Sequence, residues 1–158
     1  MTAMVPAHTL SSTFLALFDE TFTQVQGIYL DRGTSLSETL AAITAEQAST
    51  PMGREGSTIA AHVAHTIFYL DVSELYFQGR PPEKVDWGDI WRTVHAVDEK
   101  AWDDLRERLR DVADRVRSQI VAFDDWSQPD RFVEALPMIV HSAHHLGEIR
   151  QALCWIRP

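Results

Sequence analysis

Apolar residues recur along this chain at three- and four-residue steps, and no stretch alternates apolar with polar positions as a half-buried strand does. The spacing predicts a first helix from about Leu10 to Leu30, with Phe14, Phe18, Phe22, Val25 and Tyr29 on one face and Gly33 as its stop signal. "SLSETLAAITAEQA" (35–48) predicts a short helical piece, capped by Ser35 or Ser37, that extends the same wall. Pro51, Gly53 and Gly56 then break the chain. A second long helix, Ser57 to Phe77 with Ser57 as its cap, is apolar nearly all round, which predicts burial of most of its surface. "GRPPEKVDWGD" (79–89) reads as a loop. The third helix, Asp98 to Phe123, carries Trp102, Leu105, Leu109, Val112, Val116, Ile120 and Phe123 on its inner face. Its outer face is a solvated one laced by Asp104–Arg108 and Asp111–Arg115 pairs four residues apart. The fourth runs from about Phe132 to Ile156 and kinks at Pro137 or begins near it. The chain therefore reads as all-α: a four-helix bundle, with a short extra helix between the first two long ones, forming a single domain over residues 1–158.

Composition narrows the class. With 158 residues, 45% of them hydrophobic and 23% charged, the chain suits one globular domain with a substantial core. A net charge of −9 leaves no surface for neutralising phosphates, so no nucleic-acid partner is expected. The single cysteine, Cys154, excludes an intrachain disulfide and a cysteine-built zinc site, and it reads as a core residue of the last helical turn. No Lys or Arg precedes Arg32, so the start lacks the basic region of a secretory signal. No run of eighteen apolar residues occurs, so no membrane partner is expected and the expected location is cytoplasmic. "SELYFQG" (73–79) resembles a protease-recognition linker, but it lies mid-chain and continues a helical pattern, so it reads as native.

The histidines carry the chemistry. "VHSAHHLGEIRQ" (140–151) puts His141, His144 and His145 within five positions, of only seven histidines in the chain. At about 100° per residue, Ala135, Ile139, Leu146 and Leu153 mark the centre of the apolar stripe. His145 falls at its edge, His141 about 40° further round, and His144 about 60° beyond that. His141 and His145 thus share a face at the core boundary, within reach of one divalent ion. The second helix supplies His62 and His65 among almost no other polar side chains, and a buried imidazole needs partners for both nitrogens. Either one facing the pair completes a three-histidine site with open coordination positions, and periodicity does not choose between them. Glu148, three residues after His145, is the one candidate for a catalytic role: it could orient a ring N–H, act as a general base, or only line a polar rim. His8 and His95 read as surface residues. Trp87, Trp91 and Trp126, near loops, read as core or interface packing, with a pocket wall as the alternative. No ExxH, HExxH, GxxxxGK[ST] or GxSxG motif occurs, which removes di-iron, zincin, P-loop and nucleophile-elbow chemistry.

"GSTIAAHVAHTIFYLDVSELYF" (56–77) together with "VHSAHHLGEIRQ" resembles the DinB/YfiT-like family of metal-binding four-helix bundles, over essentially the whole chain in helix order and length. That family carries one ligand histidine on its second helix and a pair on its last, often as HxxHHxGQ. The resemblance implies His65, His141 and His145 as the metal ligands and gives no role to His62. Two positions depart from the pattern: Leu146 stands where the family often has arginine, and Glu148 where it has glutamine. The resemblance implies a divalent metal (zinc, nickel or iron), a homodimer, and use of a low-molecular-weight thiol on a small-molecule electrophile, since members include mycothiol-dependent isomerases and bacillithiol S-transferases. A metal-dependent hydrolase and a metal-binding stress protein without turnover are the alternatives.

Overall fold

The computed structural model describes residues 5–53, 56–127 and 129–156; residues 1–4, where the reading of the N-terminus begins, lie outside it. The described residues form seven helices and no strand: α1 (Ala7–Phe22), α2 (Leu36–Leu40), α3 (Ala45–Ala48), α4 (Ile59–Phe77), α5 (Asp89–Thr93), α6 (Glu99–Ala122) and α7 (Pro129–Ile156). Four are long. α4 packs against α6 and α7, and α1 packs against the same two, so the long helices close a ring of contacts around one core.

Helix starts follow side-chain chemistry. Ser35 and Glu38 form a reciprocal capping box at α2, and Thr44 and Gln47 form another at α3, so the single short helix expected over 35–48 is two. Thr58 Oγ1 accepts the Ala61 N–H to start α4, which shifts the expected cap by one residue from Ser57. Asp98 accepts the Ala101 N–H at α6. α7 begins at Pro129, where a proline's missing N–H costs nothing, and it continues through Pro137.

α1 stops at Phe22, eight residues short of the expected end. Glu20 is fully buried, and its carboxylate accepts N–H groups from Gln26, Ile28, Tyr29 and Leu30 at 2.7–3.2 Å. Those donors are backbone groups a continuing helix would have used, and Gly27, at φ +83°, lets the chain turn back over the carboxylate. Tyr29 is exposed, and its hydroxyl bonds Thr21.

The outer charges of α6 also differ from expectation. Arg108 and Arg115 reach across to α4 in place of their own helix: Arg108 donates to Asp71 at 3.0 Å, and Arg115 donates to Asp71 at 2.7 Å and Glu74 at 2.8 Å. Glu74, buried within "SELYFQG", accepts from Gln119 as well, so that segment is an integral end of α4. The core itself follows the periodicity. Phe14, Phe18 and Phe22 stack along α1, Ile59, Val63, Ile67 and Leu70 fill α4, and Trp102 is buried with its Nε1–H on the Ile43 carbonyl. No described helix is long and apolar enough to cross a membrane.

Candidate metal centre

α4 and α7 lie side by side, and their contact places five histidines and a glutamate at one end of the core. His62 and His65 are one turn apart on α4, and both are buried. On α7 His145 is buried, His141 half-buried and His144 exposed, as their angular positions on the helix require.

Ligand atoms of His65, His141 and His145 all lie within 4.8 Å of one another. The Nε2 atoms of His141 and His145 are 3.1 Å apart. Bonds of about 2 Å to a common ion would separate ligand nitrogens by about 3.3 Å, so the spacing suits a shared cation. A second cluster shares His145: His62 Nδ1 lies 3.0 Å from His145 Nδ1, and Glu148 Oε2 lies 2.7 Å from His145 Nδ1 and 3.2 Å from His62 Nδ1. The other nitrogen of His62, Nε2, is 2.7 Å from Ser57 Oγ. His144 Nε2 approaches Glu148 at 3.5 Å from the solvent side.

Two aromatic rings wall the site. Tyr69, one turn beyond His65, stacks on the His141 ring with centroids 3.6 Å apart and planes 20° from parallel. Trp91, on α5, lies over the α4 pair, 4.6 Å from His65 and 5.1 Å from His62 between centroids. Trp87 packs on Phe68 and Tyr69, while Trp126 joins Phe14, Phe77 and Phe123 in the core, so the three tryptophans have separate roles. His8 and His95 are exposed as expected. Cys154 is exposed too, against the expectation of a core position, because it faces away from the ring of long helices.

The electrostatics suit a cation. Burial pushes the His145 ring down to about 3, with His62, His65 and His144 adding to the effect. Burial likewise pushes His141 down to about 4, with His145 and His65 next in weight. His62 and His65 are lowered by burial as well, partly offset by Glu148. All four rings are therefore neutral near pH 7 and keep lone pairs to donate. His65 Nδ1 and Glu148 Oε2 are buried without a hydrogen bond, and such orphaned polar atoms at one place call for an ion or ligand.

Periodicity left His62 and His65 open and the family resemblance pointed to His65 with His141 and His145; the fold brings these three together, with Glu148 against His145. The sequence left His62 without a role, gave no sign of Tyr69, and offered Trp91 as a pocket wall only as the alternative to packing. Tyr69 was open to discovery, since it follows His65 by four residues on one helix face. The contact of Trp91 with the histidines was not, because a short helix after a loop sets its place.

The sequence model of the DinB superfamily matches residues 30–149, well over half the chain and all of the histidine cluster. No curated protein and no solved structure matches the chain.

Proposed function

The chain belongs to the DinB superfamily, and on that premise we propose that it is a four-helix-bundle protein whose His65, His141 and His145 hold one divalent metal ion. The observation that carries the proposal is the convergence of three neutral imidazoles, their ligand atoms within 4.8 Å of one another and His65 Nδ1 buried without a partner. Three histidines add no charge, so the ion supplies an undiminished positive field that stabilises an anion such as a thiolate.

We infer further that the site serves an enzyme acting on a small electrophile with a low-molecular-weight thiol. A groove of about 420 Å³ runs past His141, lined by Tyr69, Leu136, Pro137, Val140 and His144. Its walls carry no Lys, Arg, Asp or Glu, which favours an uncharged organic group beside the ion. Tyr69 fixes the plane of His141 at the groove's edge, and Trp91 packs against the rings of His65 and His62.

The test is direct. Metal analysis of the purified protein is expected to find one ion per chain, and absence of any tightly held ion overturns the centre. In cobalt-substituted protein, adding a biological thiol is expected to produce a sulfur-to-metal charge-transfer band. An ion without such a band, across several thiols, turns the reading to a metal-dependent hydrolase or to a protein without turnover.

A further inference from the structure

We propose that His62 is a positioning residue and not a ligand: it accepts the Nδ1–H of His145, and so holds that ring in the tautomer that presents a bare Nε2 to the metal triad. The proposal rests on the metal centre proposed above, and it assigns a function to a buried histidine that the triad does not use.

The argument begins with proton counting. A neutral imidazole carries one N–H and one lone pair, so His145 can donate its Nε2 lone pair to an ion only with its proton on Nδ1. That proton needs an acceptor, because the ring is buried. His62 Nδ1 is 3.0 Å away in hydrogen-bonding geometry. For His62 to accept there, its own proton must sit on Nε2, and Nε2 has Ser57 Oγ 2.7 Å away as acceptor. The chain of bonds therefore has one consistent direction, His145 Nδ1–H to His62 Nδ1, then His62 Nε2–H to Ser57 Oγ. Ser57 is free for this because Thr58, not Ser57, caps α4.

Glu148 reinforces the same arrangement without replacing it. Its Oε2 lies 2.7 Å from His145 Nδ1 but makes no aligned hydrogen bond. The carboxylate therefore acts through its charge, favouring a proton on the near side of the ring. The competing idea, a second ion held by His62, Glu148 and His145 Nδ1, requires His145 to give up its only proton and two dications to sit on opposite sides of one ring. Mutual repulsion in a buried site disfavours that. Partners of this kind, which bond a ligand from behind, alter metal affinity by 10- to 100-fold when removed.

The experiment compares His62→Ala, His62→Leu and His62→Asn with wild type. Asparagine places an oxygen where Nδ1 of the histidine stood, so it keeps the acceptor. The first readout is the His145 ring tautomer in metal-free protein, from nitrogen-15 spectra of the histidine rings. Wild type and His62→Asn are expected to carry the proton on Nδ1, and His62→Ala and His62→Leu to lose that preference. A wild-type His145 protonated on Nε2 overturns the proposal, whether or not metal binds. The second readout is cobalt titration. His62→Ala and His62→Leu are expected to weaken binding by about 10- to 100-fold, with an unchanged d–d spectrum at saturation and with affinity restored in His62→Asn. A changed spectrum makes His62 a ligand and overturns the proposal, as does unchanged affinity in the alanine and leucine variants. Failure of wild type to bind metal at all removes the proposed centre, whereas the tautomer measurement judges His62 on its own.

Discussion

His141, His144 and His145 fall within five consecutive positions, yet only two of them turn toward α4. Substituting His65, His141 or His145 with Ala is expected to weaken metal binding by at least about tenfold, since a three-ligand site has no spare donor. His144→Ala, at an exposed position, is expected to bind like wild type; isothermal titration with a divalent metal compares the four. Acid acts on the rings of His65, His141 and His145. Their folded pKa values lie below the ordinary value of 6.5, at about 4 for His141 and about 3 for His145. The unfolded chain therefore takes up protons that the folded chain refuses as pH falls below 6.5. The stability contributed by keeping these rings neutral is full above 6.5 and drains as pH drops toward 4 and 3. Metal-free protein is expected to lose melting temperature steadily between pH 7 and pH 5, with a shallower slope in His141→Ala. A slope unchanged by that substitution would contradict the assignment. Glu20 has the same sign by a different route. Burial pushes its carboxyl up, but four backbone donors together outweigh burial and hold it below 4.5. Its contribution is full above that value and is lost as pH falls through the folded one.

At the scale of elements, α4 and α6 are held partly by charge. Arg115 bridges Asp71 and Glu74, and Glu74 is buried while Arg115 is about half exposed. Removing the arginine leaves a buried carboxylate short of a partner, so Arg115→Ala is expected to cost about 1–2 kcal/mol, below the figure for a fully buried pair because water reaches the arginine. A double-mutant cycle with Glu74→Gln should return most of that cost; additive losses would mean the pair is not coupled. The periodicity of α6 marked Arg115 as outward-facing, which is correct, but outward on one helix is inward to the seam with the next. The same limit explains α1. Phe14, Phe18 and Phe22 announced a helix, while its end depended on Glu20 capturing N–H groups six to ten residues later. Helix interiors were legible because burial imposes a period; ends depend on contacts with no period.

For the whole molecule, an ion bound only to the folded chain adds stability by mass action. At a free metal concentration 100 times Kd the gain is about 2.7 kcal/mol, which for a chain of this size raises Tm by about 5–10 °C. Thermal scans with and without metal are expected to show that shift in wild type and to lose it in His65→Ala. A rise of equal size in both would place the ion elsewhere. The net charge of −9 makes a further outcome firm: duplex DNA should not bind at physiological salt. Micromolar, salt-sensitive binding in a gel-shift assay would contradict it.

The sequence by itself determined the all-helical class, the four long elements, the core face of each (on α1 only as far as Phe22) and the outward turn of His144, because each follows from helical periodicity and burial alone. It also supplied, through the pairing of "AAHVAH" with "VHSAHH", the family that the superfamily match bears out. Only the tertiary structure decided what His62 does, that Ser57 serves a histidine and not a helix start, and that Tyr69 and Trp91 enclose the rings. Each of these depends on a contact between α4 and another element, and no local pattern encodes the distance between two segments that meet only when the core closes.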